Sequence, residues 1–462
     1  MTTTQDPSES SQRRANFVRR ALPPGGLFAD HHWRISPAPF PLGPELAKEL
    51  ESLGRVLLQF YRAVNLLYRH SVAGKQPAWV AQWLDQGKPA SLVELQRAPA
   101  LKNELPRVIR PDLLLTENGI SVTELDSVPG GIGLTAWLGR AYGAAGPRSK
   151  VQSPKSEDTV SAVIGGADGM LNGFASIFGD SPRVHIVVSE ESATYRPEME
   201  WLVSEVQSSK LKVQGSEFTD FAVGDAVYRF FELFDTANVP CATRLFEMAA
   251  AKQIRLTPPP RPIFEEKMLF ALLWNRHLRG FWRQELGEGF LNRLLKLVPY
   301  TWLVDPTPLP PHAAIPELNL TDWQQLKAMS QRERELILKV SGYSEEAWGA
   351  RGVYLGSDMS AEDWSVAVDK ALRDFPRTPY ILQRYHKPRV VQASWFDFDA
   401  SQIVPMAGRV RLCPYYFVSG DGDAARANLG GVLATICPAD KKIIHGMKDA
   451  ILAPCSAEAA TP

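Results

Sequence analysis

Apolar positions along this chain follow two periods, and the switch between them marks out its elements. Between Pro44 and about Ser71, Leu46, Leu50, Leu53, Val56, Leu57, Phe60 and Val64 recur mostly at three- and four-residue steps, which predicts an amphipathic helix. Leu113–Leu115 and Ile120–Val122 are short β-prone runs on either side of Glu117-Asn118-Gly119, and the Asn-Gly pair predicts a hairpin turn. Val184–Val188 reads as a buried strand, Arg196–Ser208 as a helix, Leu211–Val213 as a strand and Asp225–Leu233 as a second helix. That alternation predicts a small α/β layer around a parallel sheet. Glu265–Val298, dense in Leu, Phe and Trp, reads as one long helical region. Leu336–Val340 and Tyr380–Tyr385 read as strands around a helix over Ser360–Phe375. Val390–Phe398 and Val410–Phe417 follow as strands with alternating patterning.

Punctuation divides these elements. Residues 1–13 are rich in Thr, Ser and Gln and predict a disordered tail, which Ala21-Leu-Pro-Pro-Gly-Gly-Leu27 ends. Gly139–Asp158 reads as a loop, and Thr159–Phe178 as a helix interrupted at Gly165–Gly169. That interruption lacks the G-x-G-x-x-G spacing and a strong preceding strand, so it makes a poor phosphate loop. Pro258–Pro262 and Asp305–Pro316, the latter with five prolines, bracket the long helical region. The expected division is a tail over 1–24, a hairpin-bearing region over 25–150, a small α/β subdomain over 151–257, a helical segment with linker over 258–330, and a final lobe over 331–462. A chain of 462 residues suits two or three such domains.

Composition narrows the partners. Lys+Arg and Asp+Glu are 51 each, so no global field favours nucleic acid or an anionic membrane. Four cysteines, Cys241, Cys413, Cys437 and Cys455, form no Cys-x-x-Cys pair, which argues against a zinc site and fits a reducing compartment. No stretch reaches the ~20 apolar residues of a membrane-spanning helix, and no secretory signal opens the chain. The expectation is a cytoplasmic protein.

Candidate chemistry sits at two places. Folding the hairpin brings Arg110 and Asp112 alongside Glu124 and Asp126, and positions 124 and 126 share one face of a strand. A hard cation such as Mg²⁺ accepts these oxygen donors, and arginine suits the phosphates that accompany it. A solvent-facing hairpin edge with scattered charge is the alternative. Further on, Lys339 stands on a strand ahead of a small-residue loop containing Ser341, Gly342, Gly349, Arg351 and Gly352. Backbone N–H groups of such a loop can cradle phosphates. The G-x-x-x-x-G-K-[ST] order is absent, and a plain β-hairpin with turn glycines is the alternative. Gln383 and Tyr385 lie at a strand end whose backbone can read an adenine edge, and Arg409 and Arg411 share one strand face. Asp225, Arg229 and Glu232 fall on one side of the helix expected there. They suit either an ordinary ion-pair face or a pocket for a carboxylate and an amine.

In order and spacing these blocks resemble the circularly permuted ATP-grasp proteins, and in particular the synthetase domain of glutathionylspermidine synthase. The match lies in Arg110-x-Asp112, in Glu124-x-Asp126 twelve positions after the first acid, and in Leu338-Lys339-Val-Ser-Gly342 with Trp348–Gly356. The carboxylates precede the lysine and its loop, which is the permuted order. The resemblance implies a mixed α/β (α+β) ATP-grasp fold, with the small α/β layer and helical segment added, and with residues 331–462 as the nucleotide-clamping lobe. It implies ATP and Mg²⁺, with Asp112, Glu124 and Asp126 on the metal, although the last ligand is often Asn in that family. Arg110 is expected on the γ-phosphate or an acyl phosphate, Lys339 on the α/β-phosphates, and Arg411 on the acyl phosphate. Ser341, Gly342, Gly349, Arg351 and Gly352 would close over the phosphates, and Gln383 and Tyr385 would flank the adenine. The implied reaction joins a small-molecule carboxylate to an amine through an acyl phosphate, releasing ADP and phosphate. The first hundred residues show no Cys-plus-His amidase pattern. A non-catalytic nucleotide-binding scaffold and a small-molecule kinase are the competing readings. Substrate identity and oligomeric state are not written in these motifs, because acceptor pockets draw on residues dispersed in sequence.

Overall fold

The computed structural model describes residues 7–30, 32–143, 163–206, 208–349, 351–444 and 447–458, with side chains from residue 11 on. Pro44–Val72 is a helix, as the periodicity predicts. Pro44 opens it where a missing N–H costs nothing, and Arg69 and His70 sit in the last turn, where carbonyl dipoles favour cations. Leu50, Leu53, Phe60 and Val64 on its apolar stripe are buried in the largest core cluster.

Three sheets are formed among the described residues. The largest runs in the order Arg34–Ile35, Ile451–Ser456, Arg426–Pro438, Gln402–Ser419, Val108–Thr116, Gly119–Asp126. Val390–Asp397 pairs antiparallel with the first half of Gln402–Ser419, and Phe40–Pro41 pairs parallel with Ile451–Ser456. A second, antiparallel sheet is ordered Val353–Leu355, Leu336–Val340, Tyr380–Arg384, Thr301–Leu303. The third is parallel, in the order Leu211–Gly215, Val184–Val188, Ala226–Phe230, Arg255–Thr257. The result is a mixed α/β architecture. No helix of the described residues is long and apolar enough to cross a membrane.

Several expectations are corrected. Asp225–Leu233 is not a helix: Ala226–Phe230 is a strand between two parallel neighbours, with all five residues buried. Val227, Tyr228 and Phe230 supply the β-prone side chains for such a site, and pairing on both edges overrides the helical charge spacing. The long helix over Glu265–Val298 is broken into Leu269–Trp274 and Arg279–Leu297. Asn275 caps the turn between them, its side chain accepting from the His277 N–H, and Gly287 at φ +69° kinks the second helix. The expected tail holds a helix, Pro7–Ala21, because Ala15 and Val18 are buried in the second core cluster; residues 1–6 lie outside the described residues. Helix Ile132–Tyr142 runs into the expected loop Gly139–Asp158, whose residues from 144 on are not among those described. The helix expected over Thr159–Phe178 is seen only as Gly169–Ser176, with 159–162 likewise outside. Strand Arg426–Pro438 escapes pattern reading because Gly430-Gly431 interrupts it. Both glycines are pressed against other side chains, Gly430 against Phe417 and Gly431 against Met170.

Candidate active site

The first two sheets, with segments that follow strands of the third, line a cavity of about 370 Å³. Its first wall is the hairpin of Val108–Thr116 and Gly119–Asp126, closed by a Glu117-Asn118 turn. The register sets Arg110 opposite Asp126 and Asp112 opposite Glu124, with an irregularity between Asp112 and Leu113. Arg110 faces three acceptors: Nη2 meets Asp126 Oδ2 at 2.9 Å and Nη1 donates to the Gly130 carbonyl at 3.1 Å, while Nε lies 3.0 Å from Asp112 Oδ1 as an ion pair without hydrogen-bond alignment. From the neighbouring strand, Arg411 Nη1 reaches Asp112 Oδ2 at 3.2 Å and the Cys413 thiol donates to Oδ1 at 3.5 Å.

The second wall carries two lysines. Lys267 Nζ meets Glu124 Oε1 at 2.8 Å and donates to the Ala347 carbonyl at 3.0 Å, so it ties the hairpin to the loop after Lys339. Burial works against its charge, yet Glu124 holds its pKa above the ordinary lysine value. Lys339 differs. Its Nζ donates to the Thr123 carbonyl at 3.1 Å and to Gln383 Oε1 at 3.0 Å, both neutral acceptors. Burial pulls its pKa down to about 8, and the nearby Lys267 charge adds to the fall.

Several carboxyls in or beside the cavity are raised by burial. Burial, reinforced by Glu124, pushes Asp126 up to about 6 even though Arg110 opposes the shift. Glu232 is raised well above the carboxylate range by burial and by Glu265, with which it shares a hydrogen bond. Glu265 in turn pairs with the wholly buried Arg229 at 2.5 Å and accepts the Leu233 N–H at 2.9 Å. Glu198 caps helix Ile132–Tyr142 from outside, accepting the Gly131 and Leu134 N–H groups at 2.7 and 2.9 Å. Burial nevertheless raises it to about 7.

Ten sequence candidates share this wall: Arg110, Asp112, Glu124, Asp126, Lys339, Gly342, Gly349, Gln383, Tyr385 and Arg411. Ser341, Arg351 and Gly352 lie outside it. Ser341 is fully buried, with its hydroxyl donating to Glu266. Gly352 is wedged against Val340 and Glu346. Arg351 reaches across to Glu191 at 3.1 Å and lies over the Trp348 ring, whose other neighbour is Tyr195. Gln383 lines the cavity, where its amide donates to Thr301 Oγ1 at 3.0 Å and its oxygen accepts from Lys339 at 3.0 Å. Asp225 pairs with Arg183 and His185, away from the wall. Lys267, Glu232 and Glu265 line the cavity with Tyr195. The sequence signal for Lys267 is slight: Glu265-Glu266-Lys267 interrupts the otherwise apolar run from Ile263 to Trp274.

Part of this donor set suits a divalent cation. Glu124 and Asp126 fit: they are hard oxygen donors close enough to repel, and a cation between them would relieve that repulsion. Asp112 fits poorly, since its two oxygens face Arg110 and Arg411. Among the described residues no three His, Cys, Asp or Glu side chains converge to hold a metal ion.

No family model matches the chain, and neither does any curated protein. Solved structures do resemble it. A glutathione synthetase-like effector from Globodera pallida, in its apo form, aligns over 98% of this chain and 97% of its own at a TM-score of 0.56, with 11% identity. A Methylobacillus flagellatus protein assigned as a gamma-glutamylcysteine synthetase aligns over 84% of this chain and 86% of its own, at a TM-score of 0.38 and 11% identity. The likeness is thus to a glutathione synthetase-like protein rather than to glutathionylspermidine synthase in particular. At this identity, what the chain shares with that effector is its fold.

Proposed function

We propose that the cavity belongs to an ATP-dependent carboxylate–amine ligase built on a circularly permuted ATP-grasp fold. The observation that carries this reading is Lys339: a buried cation lining the cavity, whose hydrogen-bond partners among the described residues are two neutral oxygens. Glu124 and Asp112 favour its charge from farther off, and a phosphate would supply a partner in direct contact. Lys267 and Arg411 line the same cavity and would share that charge. Glu124 and Asp126 would hold Mg²⁺, which neutralises phosphate charge when bound. Arg110 acts by holding Asp112 and Asp126 in place, since all three of its nitrogens face acceptors. At Glu232 and Glu265, an arriving ammonium would replace the shared proton, which suits an amine substrate. The loop carrying Trp348 and Gly349 covers the cavity and would exclude water from an acyl phosphate.

The test is ADP release with Mg·ATP across pooled carboxylates and amines, comparing the native chain with Glu124→Ala and Lys339→Met. Release that needs both an acid and an amine, and is lost in both variants, is the expected outcome. Turnover with a carboxylate or alcohol alone, giving a phosphorylated product, would identify a kinase. The cross-paired acids favour one other reading, a non-catalytic nucleotide-binding scaffold, for which ATP would bind without turnover in any pool.

A further inference from the structure

Among the described residues, one buried lysine–carboxylate pair is left over by the chemistry above. Lys88 Nζ and Glu266 Oε1 meet at 2.6 Å, with side-chain exposures of 0% and 1%. A buried pair of this kind adds little net stability over an apolar pair of the same shape, so its location deserves an explanation in terms of what it orients. Glu266 precedes Lys267 in the chain, and its other oxygen accepts the Ser341 hydroxyl. Ser341 follows Lys339 by two residues, so Lys267 and Lys339 are tied to one joint. Ser341 closes that joint with its hydroxyl and carbonyl: its Oγ accepts the Met268 N–H at 2.9 Å and its carbonyl accepts the Lys267 N–H at 2.8 Å, while its own N–H donates to the Pro379 carbonyl at 2.9 Å. Gly342 completes it, because a side chain there would strike the Glu265 carbonyl and the Glu266 carboxyl.

Lys88 comes to this joint from the turn between helices Ala78–Asp85 and Ala90–Arg97. The turn is pinned on both sides of the lysine's approach. Gln86 donates to the Phe375 carbonyl, and Gly87, at φ +75°, lies against the Arg377 backbone where no side chain fits. One turn therefore fixes the helical region, the 265–268 segment and the lobe bearing Lys339 to one another.

We infer that Lys88, Glu266 and Ser341 form a buried positioning relay, which sets Lys267 and Lys339 at a fixed separation across the cavity. The two lysine charges disfavour each other, and an anion is bound by both only if neither can swing away. The part of this inference concerning anions rests on the nucleotide reading above; the geometry that the relay fixes does not.

Three variants of the full chain test it: Ser341→Ala, Lys88→Met, and the double variant Lys88→Met with Glu266→Met. Two quantities are read. The first is ATP affinity with Mg²⁺ by titration calorimetry. The second is the ¹³Cε NMR signals of Lys267 and Lys339, assigned from Lys267→Met and Lys339→Met, with the distant Lys252 as reference. A purely structural pair is replaced harmlessly by the two methionines, whereas a positioning pair is not. The double variant is therefore expected to melt no lower than the native chain, yet to bind ATP at least ~10-fold more weakly. Both lysine signals should shift in it and in Ser341→Ala, while Lys252 stays in place. Native affinity together with unmoved lysine signals in the double variant would overturn the relay. Should Lys88→Met not fold, Ser341→Ala gives the same reading without a charge change. If the native chain binds no ATP, the nucleotide reading fails, and the lysine signals alone decide the relay. They also decide it where the two measurements disagree.

Discussion

The two charged walls of the cavity are built on opposite rules. On the hairpin's cavity side, each charge meets a counter-charge: Asp112 lies between Arg110 and Arg411, Asp126 against Arg110, and Glu124 against Lys267. On the facing strand, Lys339 meets a backbone carbonyl and an amide oxygen. A cross-paired set resists rearrangement, since moving one member strands the others in a low-dielectric interior. A cation held by neutral oxygens keeps its electrostatic demand for whatever enters. The first wall is built to stay, and the second to receive.

Breaking the first wall should have the largest effect. Asp112→Ala leaves Arg110 and Arg411 buried side by side without the carboxylate that separates them. The expected cost is about 3–5 kcal/mol of folding stability in chemical denaturation. A loss under about 1 kcal/mol would mean that the hairpin charges are solvated and the contrast is unfounded.

Removing the second wall's charge should do the reverse. Lys339→Met should weaken ATP binding about 100-fold, roughly 2.7 kcal/mol, while leaving the protein at least as stable. The sign follows from its pKa, which folding lowers to about 8. Below pH 8 the native chain holds a charge that folding disfavours, and methionine removes that penalty. Between about pH 8 and 10.5 the folded lysine sheds its proton before the unfolded one, so the native chain gains stability and the variant's advantage fades. An advantage that grew over that range would refute the assignment.

Asp126 sharpens the comparison from the acid side, because folding raises its carboxyl to about 6. As pH rises from about 4 to 6, the unfolded residue ionises freely and the folded one resists, so its contribution to stability is lost. Asp126→Asn should therefore gain on the native chain by about 2 kcal/mol between pH 4 and 6.5, seen as diverging melting temperatures. A constant difference would show that Asp126 titrates normally.

The smallest effect belongs to the exposed bridge over the cavity. Arg351→Ala or Glu191→Ala should cost only about 0.2–1 kcal/mol, with the double variant no worse than either single one. A larger coupling in a double-mutant cycle would give this surface pair a share in holding the loop.

Local rules made part of this arrangement readable beforehand. The Asn-Gly turn and the two-residue spacing of Glu124 and Asp126 placed the acids on one hairpin, because both rules act within a dozen residues. Helix Pro44–Val72 was legible for the same reason. Ala226–Phe230 was not. Its charge spacing fits a helix, and only the parallel neighbours on both sides make it a strand. Lys267 was equally hidden, because its meaning comes from Glu124, 143 positions earlier, and Ala347, 80 positions later. The contacts of Gln383 were hidden for the same reason: it bonds Thr301 and Lys339, neither near it in sequence.

The eighteen-residue strand Gln402–Ser419 has a consequence for how the protein is made. It joins Val390–Asp397, Arg426–Pro438 and Val108–Thr116 in one sheet, and it delivers Arg411 to an aspartate 299 residues upstream. At a synthesis rate of about 5–20 residues per second, Arg411 leaves the ribosome about 15–60 s after Asp112. Throughout that interval the nascent hairpin carries a bare strand edge and a carboxylate short of one cation, a state open to aggregation. Folding of the cavity is thus a late event, slow by its topology and dependent on protection of the growing chain.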